Sequence, residues 1–139
     1  MMRLLATIAV WCAASIAASA QPRPFDGSWD VTVTCAESEG GGRGYVRRFP
    51  AQVQNGVLQG EQQGGRGSAA TTYRIEGPIR PDGTARLKAS GVVVNPATAN
   101  RNAGPNTPYR YAVDARFEGS SGTGRRIGAR SCELAFVKR

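Results

Sequence analysis

The chain has 139 residues, with 18 Lys+Arg against 10 Asp+Glu and no histidine, for a formal net charge of +8. Lack of histidine removes the commonest general base and the commonest metal ligand, and three cysteines are too few for a zinc cluster. The length suits one ordinary domain and one core.

Met1-Met2-Arg3 is a short basic start, residues 4–16 are almost wholly apolar, and Ala18-Ser19-Ala20 offers the small-x-small site of a signal peptidase. Residues 1–20 therefore predict a secretory leader cleaved near Ala20-Gln21, since the apolar run is too short to span a bilayer. Cys12 follows the bulky Trp11, whereas a lipid-modified cysteine wants a small residue before it. Export into the periplasm or the medium is expected, with no membrane-spanning segment left in the mature chain. That chain keeps Cys35 and Cys132, most simply one disulfide in an oxidising compartment. It would close nearly the whole chain, worth about 4–5 kcal/mol on loop entropy. The remaining positive charge favours anionic surfaces such as envelope lipids or polyanionic glycans. Sixteen of the 18 basic residues are arginines spread along the sequence, which also fits a compositional bias without a specific anion role.

Residues 21–26 read as a linker. The first strand, Gly27 to Cys35, alternates apolar Trp29, Val31, Val33 and Cys35 with polar residues, the period of a half-buried β-strand. Residues 36–44, with four glycines, make a loop. A second strand starts at Tyr45, with Tyr45, Arg47, Phe49, Ala51 and Val53 in one phase; Pro50 predicts a bulge or an incomplete partner there. Asn55-Gly56 is a strong hairpin signal, because a type I′ turn needs positive φ at both central residues. It pairs Val53 with Leu58 and starts a third strand, Val57 to about Gln62. After the glycine-rich stretch 63–70, a fourth strand runs from Thr71 to Ile79 with Tyr73, Ile75 and Ile79 in phase. Arg80-Pro81-Asp82-Gly83 is a type I turn. The fifth strand shows Ala85, Leu87, Ala89 and Val93 on one face. Residues 95–108 form a long loop, of the kind that is often functional. The sixth strand alternates Tyr109, Tyr111, Val113, Ala115 and Phe117 with polar residues. A turn centred on Ser120-Ser121 leads to a seventh strand, Thr123–Ile127, and residues 131–138 form an eighth with Cys132, Leu134 and Phe136 in phase.

If Cys35 faces Cys132 across antiparallel neighbours, then Val33 meets Leu134, Val31 meets Phe136 and Trp29 meets Lys138. All the apolar partners then share one face. Pairing first with last strand closes the sheet and removes its edges. The expected fold is all-β: a single up-and-down antiparallel eight-stranded barrel over residues 27–139, closed by the disulfide. Tight turns follow the second, fourth and sixth strands and long loops follow the first, third and fifth, so the loops gather at one mouth. Trp29 lies near the opposite, closed base.

Gly27-Ser28-Trp29 opening such a barrel resembles the start of lipocalins and of the avidin group, and Asn55-Gly56-Val57-Leu58-Gln59-Gly60 is similar to the second hairpin of avidin-like barrels. The resemblance implies a basic residue from the last strand, Arg139 or Lys138, over the Trp29 ring. The aromatic box with which avidins hold biotin has no counterpart, because Trp29 is the only tryptophan outside the leader. The overall pattern also resembles small exported bacterial proteins.

No catalytic constellation stands out, and Asp30, Glu76, Asp114, Glu118 and Glu133 fall on outward positions, so an enzyme is not expected. No cofactor motif is present. The leading expectation is a binding barrel for a small anionic or amphipathic ligand. Its candidate residues are Tyr45, Arg47, Tyr73, Tyr109 and Tyr111 projecting inward, with Arg101 and Arg130 at the mouth; Arg43 and Arg66 also lie in mouth loops. Arginine supplies bidentate donors for carboxylate or phosphate, and tyrosine a ring plus a hydroxyl. The alternatives are a barrel filled by its own side chains, and a periplasmic interaction protein, either an inhibitor or a module on an anionic envelope component. Nucleic-acid binding is not expected, since no outward aromatic platform accompanies the arginines.

Overall fold

The computed structural model describes residues 23–65, 70–99, 103–128 and 130–139. The expected leader, residues 1–20, lies outside them. Eight strands follow in chain order: β1 (Gly27–Cys35), β2 (Tyr45–Gln54), β3 (Val57–Gln63), β4 (Thr71–Pro78), β5 (Thr84–Val92), β6 (Pro108–Glu118), β7 (Ser121–Ile127) and β8 (Cys132–Lys138). Each pairs antiparallel with its sequence neighbours, and β8 returns to β1, giving a closed up-and-down barrel.

The seam has the expected register. Cys35 faces Cys132, Val33 faces Leu134, Val31 faces Phe136 and Trp29 faces Lys138. The Cys35–Cys132 disulfide is formed, and both cysteines are buried. Period 2 explains why this works: one slip would turn the whole apolar set of either strand to solvent.

Pro50 produces no bulge against β1, whose register with β2 runs unbroken from Gly27↔Val53 to Cys35↔Tyr45. The proline acts on the other side, where the β2–β3 ladder ends at Ala51↔Gly60. Strand ends differ from expectation in small ways. Ile79 lies outside β4, joined by an isolated bridge to Ala85 and by its N–H to the Gly56 carbonyl at 2.8 Å. The β6–β7 turn is Gly119-Ser120, so β7 starts at Ser121 and pairs Gly122 with Phe117.

The base is packed solid. Trp29 is fully buried, meets Phe117 edge-on at 5.4 Å and donates its indole N–H to the Phe25 carbonyl at 2.9 Å. Of the two basic candidates, Lys138 lies over the Trp29 ring, its Nζ 5.9 Å from the centroid. Arg139 turns outward to Asp30, with Nη2 at 2.8 Å. The segment read as a linker is docked from Arg23 onward: Phe25 packs on Phe117, and the Asp26 carboxylate accepts from the backbone N–H of Asn55 and Gly56 at 3.0 and 2.9 Å. Asn55 and Gly56 have the positive φ of their turn, 54° and 75°.

Candidate functional site

The barrel changes character along its axis. Toward the base its interior is aliphatic and phenylalanine-rich. Toward the mouth it holds all four tyrosines of the chain and three arginines. The packed-barrel alternative therefore describes the lower half, while a cavity of about 590 Å³ opens in the upper half. Tyr45, Arg47, Tyr109, Arg126 and Arg130 all line it.

Arg47 projects inward, as its phase on β2 predicts. Its guanidinium carbon sits 4.6 Å from the Tyr73 ring centroid and 5.1 Å from that of Tyr45. Its Nε and Nη1 are buried without a hydrogen-bond partner. Tyr73 and Tyr111 lie below it with their hydroxyls 2.9 Å apart, either able to donate, and Tyr109 stacks parallel on Tyr111 at 6.3 Å. The Tyr109 hydroxyl is buried and unpartnered. Arg47 is near enough to pull the Tyr109 phenol down in pKa, yet the two make no hydrogen bond of standard geometry.

Burial pushes the Tyr73 phenol well above its ordinary range, reinforced by Tyr111, and lifts Tyr111 to about 12. Tyr109 also rises through burial, against the pull of Arg47. These three phenols stay neutral near pH 7 and offer the arginines no negative charge. No aspartate or glutamate lines the cavity among the described residues.

Arg126 was not among the residues singled out from the sequence. It pairs with Val113 on β6, a fully buried position, and therefore points inward. Its guanidinium carbon lies 4.2 Å from the Tyr111 centroid, and its Nε is buried without a partner. A two-residue turn pairing Phe117 with Gly122 switches the inward phase from odd to even numbers. The inward positions before Arg126 are Gly122 and Gly124, which display no side chain to reveal that phase.

Arg130, only 5% exposed, is committed to the loops. Its Nε donates to the Ala36 carbonyl at 3.2 Å, Nη2 to the Arg43 carbonyl at 2.6 Å and Nη1 to the Thr98 carbonyl, while its guanidinium lies 4.9 Å from the Tyr45 centroid. One side chain thus ties the β1–β2 loop to the β5–β6 loop. The Arg43 N–H to Ala97 carbonyl bond, 2.8 Å, draws the same loops together. Gly42 permits this approach: a Cβ there would stand 2.5 Å from the Ala99 carbonyl oxygen. Arg43 itself is exposed. Arg66 and Arg101 lie outside the described residues.

A larger hollow, about 1120 Å³, lies on the outer face of β5–β8 and β1; five arginines (Arg80, Arg86, Arg116, Arg125 and Arg126) and two carboxylates (Asp114 and Glu133) line it, so its charge is only partly offset. Arg86 is ion-paired with Asp114, and Arg125 stands opposite both Asp114 and Glu133. Of the expected outward carboxylates, Asp114 and Glu133 line this hollow, while Glu76 faces Lys88 across β4 and β5. The mouth differs in that no carboxylate is among its described lining residues. No known protein family, curated protein or solved structure matches the chain.

Proposed function

We propose that this barrel binds a small anionic or amphipathic ligand in its mouth, with Arg47 and Arg126 as the anion receptors, Tyr45 and Tyr109 as the surrounding wall and Tyr111 packed beneath. One observation carries the reading: two inward arginines with buried, unpartnered nitrogens line a cavity that has no acidic residue among its described lining residues. An uncompensated buried charge costs several kcal/mol, and a desolvated cation–π contact recovers only about 2 kcal/mol. A bound carboxylate or phosphate would supply the missing counter-charge through bidentate bonds. Arg130 contributes indirectly, holding the mouth loops in place. The exported, disulfide-closed barrel and the lipocalin-like opening are compatible with this use.

Titration with benzoate, octanoate and phenyl phosphate, read by thermal unfolding and tyrosine NMR shifts, tests the reading. At least one of these anions should raise the melting temperature and shift Tyr109 and Tyr111. Arg126→Met should abolish that effect while changing the stability of the free protein by no more than about 1 kcal/mol, because it removes an unpaired buried charge. A protein indifferent to all three anions, with Arg47→Gln and Arg126→Met destabilised by several kcal/mol, would assign both arginines to packing.

A further inference from the structure

The wall of the barrel is interrupted beside Arg47, and the cause is Pro50. The two-residue turn at Asn55-Gly56 makes Gln54↔Val57 the hydrogen-bonded pair of the hairpin, so alternate residues of β2 turn their N–H and C=O toward β3. These are Gln54, Gln52, Pro50, Arg48 and Val46. Pro50 has no N–H to give, and the ladder ends at Ala51↔Gly60. Beyond that point β2 pairs with β1 alone, over Tyr45–Pro50, and Glu61–Gln63 of β3 pair with β4 alone, with a register shift at Gln62/Gln63. Main-chain groups of Val46 and Arg48 thus face those of Glu61 and Gln63 without forming a ladder.

The mouth cavity reaches through this break. It is lined on one side by Val46 and Arg47 and on the other by Gln62 and Gln63, and Val46 is an outward residue, 50% exposed. A row of unladdered main-chain groups is a template for an extended chain. Beside the row, between Val46 and Arg48, Arg47 turns inward with two unpartnered nitrogens. The outer rim adds a second cation, Arg48, while the nearby Glu61 is already paired with Arg74 at 2.5 Å.

We propose that the break between β2 and β3 receives the C-terminal end of an extended peptide. Its last residues, about three by strand spacing, enter from the mouth and run antiparallel to β3, and its terminal carboxylate meets Arg47. Charge complementarity selects this occupant: the slot offers backbone pairing along its length and an inward cation, Arg47, beside it for the terminal carboxylate. The proposal rests on the anion-binding reading of Arg47 and names the class of ligand.

The test uses a pool of N-terminally labelled random tetrapeptides, as free acids and as C-terminal amides, with benzoate as the small-anion control. The free acids should bind about tenfold or more tightly than the amides, the worth of one charge-assisted hydrogen bond. N-methylation of the backbone amides nearest the C-terminus should weaken binding to a similar degree. Pro50→Val restores the missing donor on an exposed position, extends the β2–β3 ladder and should eliminate peptide binding while leaving benzoate binding in place. Amides binding as well as acids, or Pro50→Val binding peptides like the parent, would overturn the peptide assignment with the anion site intact. A parent protein that binds neither peptide nor any of benzoate, octanoate and phenyl phosphate would overturn both.

Discussion

Arg130 and Arg126 are four residues apart and do opposite things with the same group. Arg130 donates to three backbone carbonyls and is a clamp. Replacing it by alanine leaves those carbonyls without donors and should cost about 2–4 kcal/mol in urea denaturation, because bonds to charged groups contribute about 1.5–3 kcal/mol each and share one side chain. Amide exchange in the β1–β2 and β5–β6 loops should accelerate in parallel. Arg126 instead keeps a buried Nε unused. The tyrosines between them give the site a pH signature. In the unfolded chain a phenol ionises near pH 10, whereas burial raises Tyr73, Tyr109 and Tyr111 above it, Tyr111 to about 12. The folded state then holds protons the unfolded state has released. Their contribution to stability is complete below about pH 10 and declines as pH climbs toward and through 12, by about 1.4 kcal/mol per unit for each such group. Melting temperatures between pH 8 and 12 should show that fall, with Tyr111→Phe flattening part of it; a flat profile in the parent would contradict the buried phenols.

Among the elements, β1 and β7 mark the limits of what a sequence displays. In β1 every inward position from Trp29 onward carries an apolar residue, so alternation reveals its face, and a cysteine at its end gives the register with β8. In β7 the inward positions are Gly122, Gly124 and Arg126, two blanks and a charge, and neither alternation nor hydrophobicity shows which way the strand faces. Those glycines make room for their neighbours: a Cβ on Gly122 would lie 2.8 Å from the Phe117 ring, and one on Gly124 3.0 Å from Val113. Gly122→Val should therefore destabilise by about 1–3 kcal/mol through overpacking, measurable by denaturant midpoint. Pro50 was legible as an irregularity but not as to which neighbour loses pairing, since that depends on the hydrogen-bonding parity fixed by the hairpin turn. The Arg130 acceptors were not legible at all, because they are carbonyls of aperiodic loops brought together only by the closed barrel.

For the whole molecule, the division between a packed base and a cationic mouth lets stability and binding reside in different halves. Trp29, Phe117 and Phe136 fill one end and Phe25 covers it, leaving the other end to hold the inward arginines against the tyrosines. Removing the disulfide by Cys35→Ser with Cys132→Ser should cost roughly 2–5 kcal/mol. The loss should appear first as disorder at the mouth, where the bridge lies beside the Ala36 N–H to Ser131 carbonyl bond of 2.9 Å. Anion affinity should fall along with stability in that variant, whereas substitutions at Phe25 should lower stability alone.

The seam also dictates a timetable. β1 makes one ladder with β2, close in sequence, and another with β8, whose cysteine is 97 positions away. Seven strands can assemble as a meander from local contacts, but the sheet stays open, with two bare edges, until the eighth arrives. High contact order of this kind slows folding, because the entropy of closing the long loop must be overcome before the last ladder forms. A pre-formed Cys35–Cys132 bridge removes that cost from the search. Stopped-flow refolding of the oxidised chain should be faster than that of the reduced chain, the difference lying in the folding limb of the chevron; equal folding rates would mean that the seam closes early and is held by the apolar pairs alone.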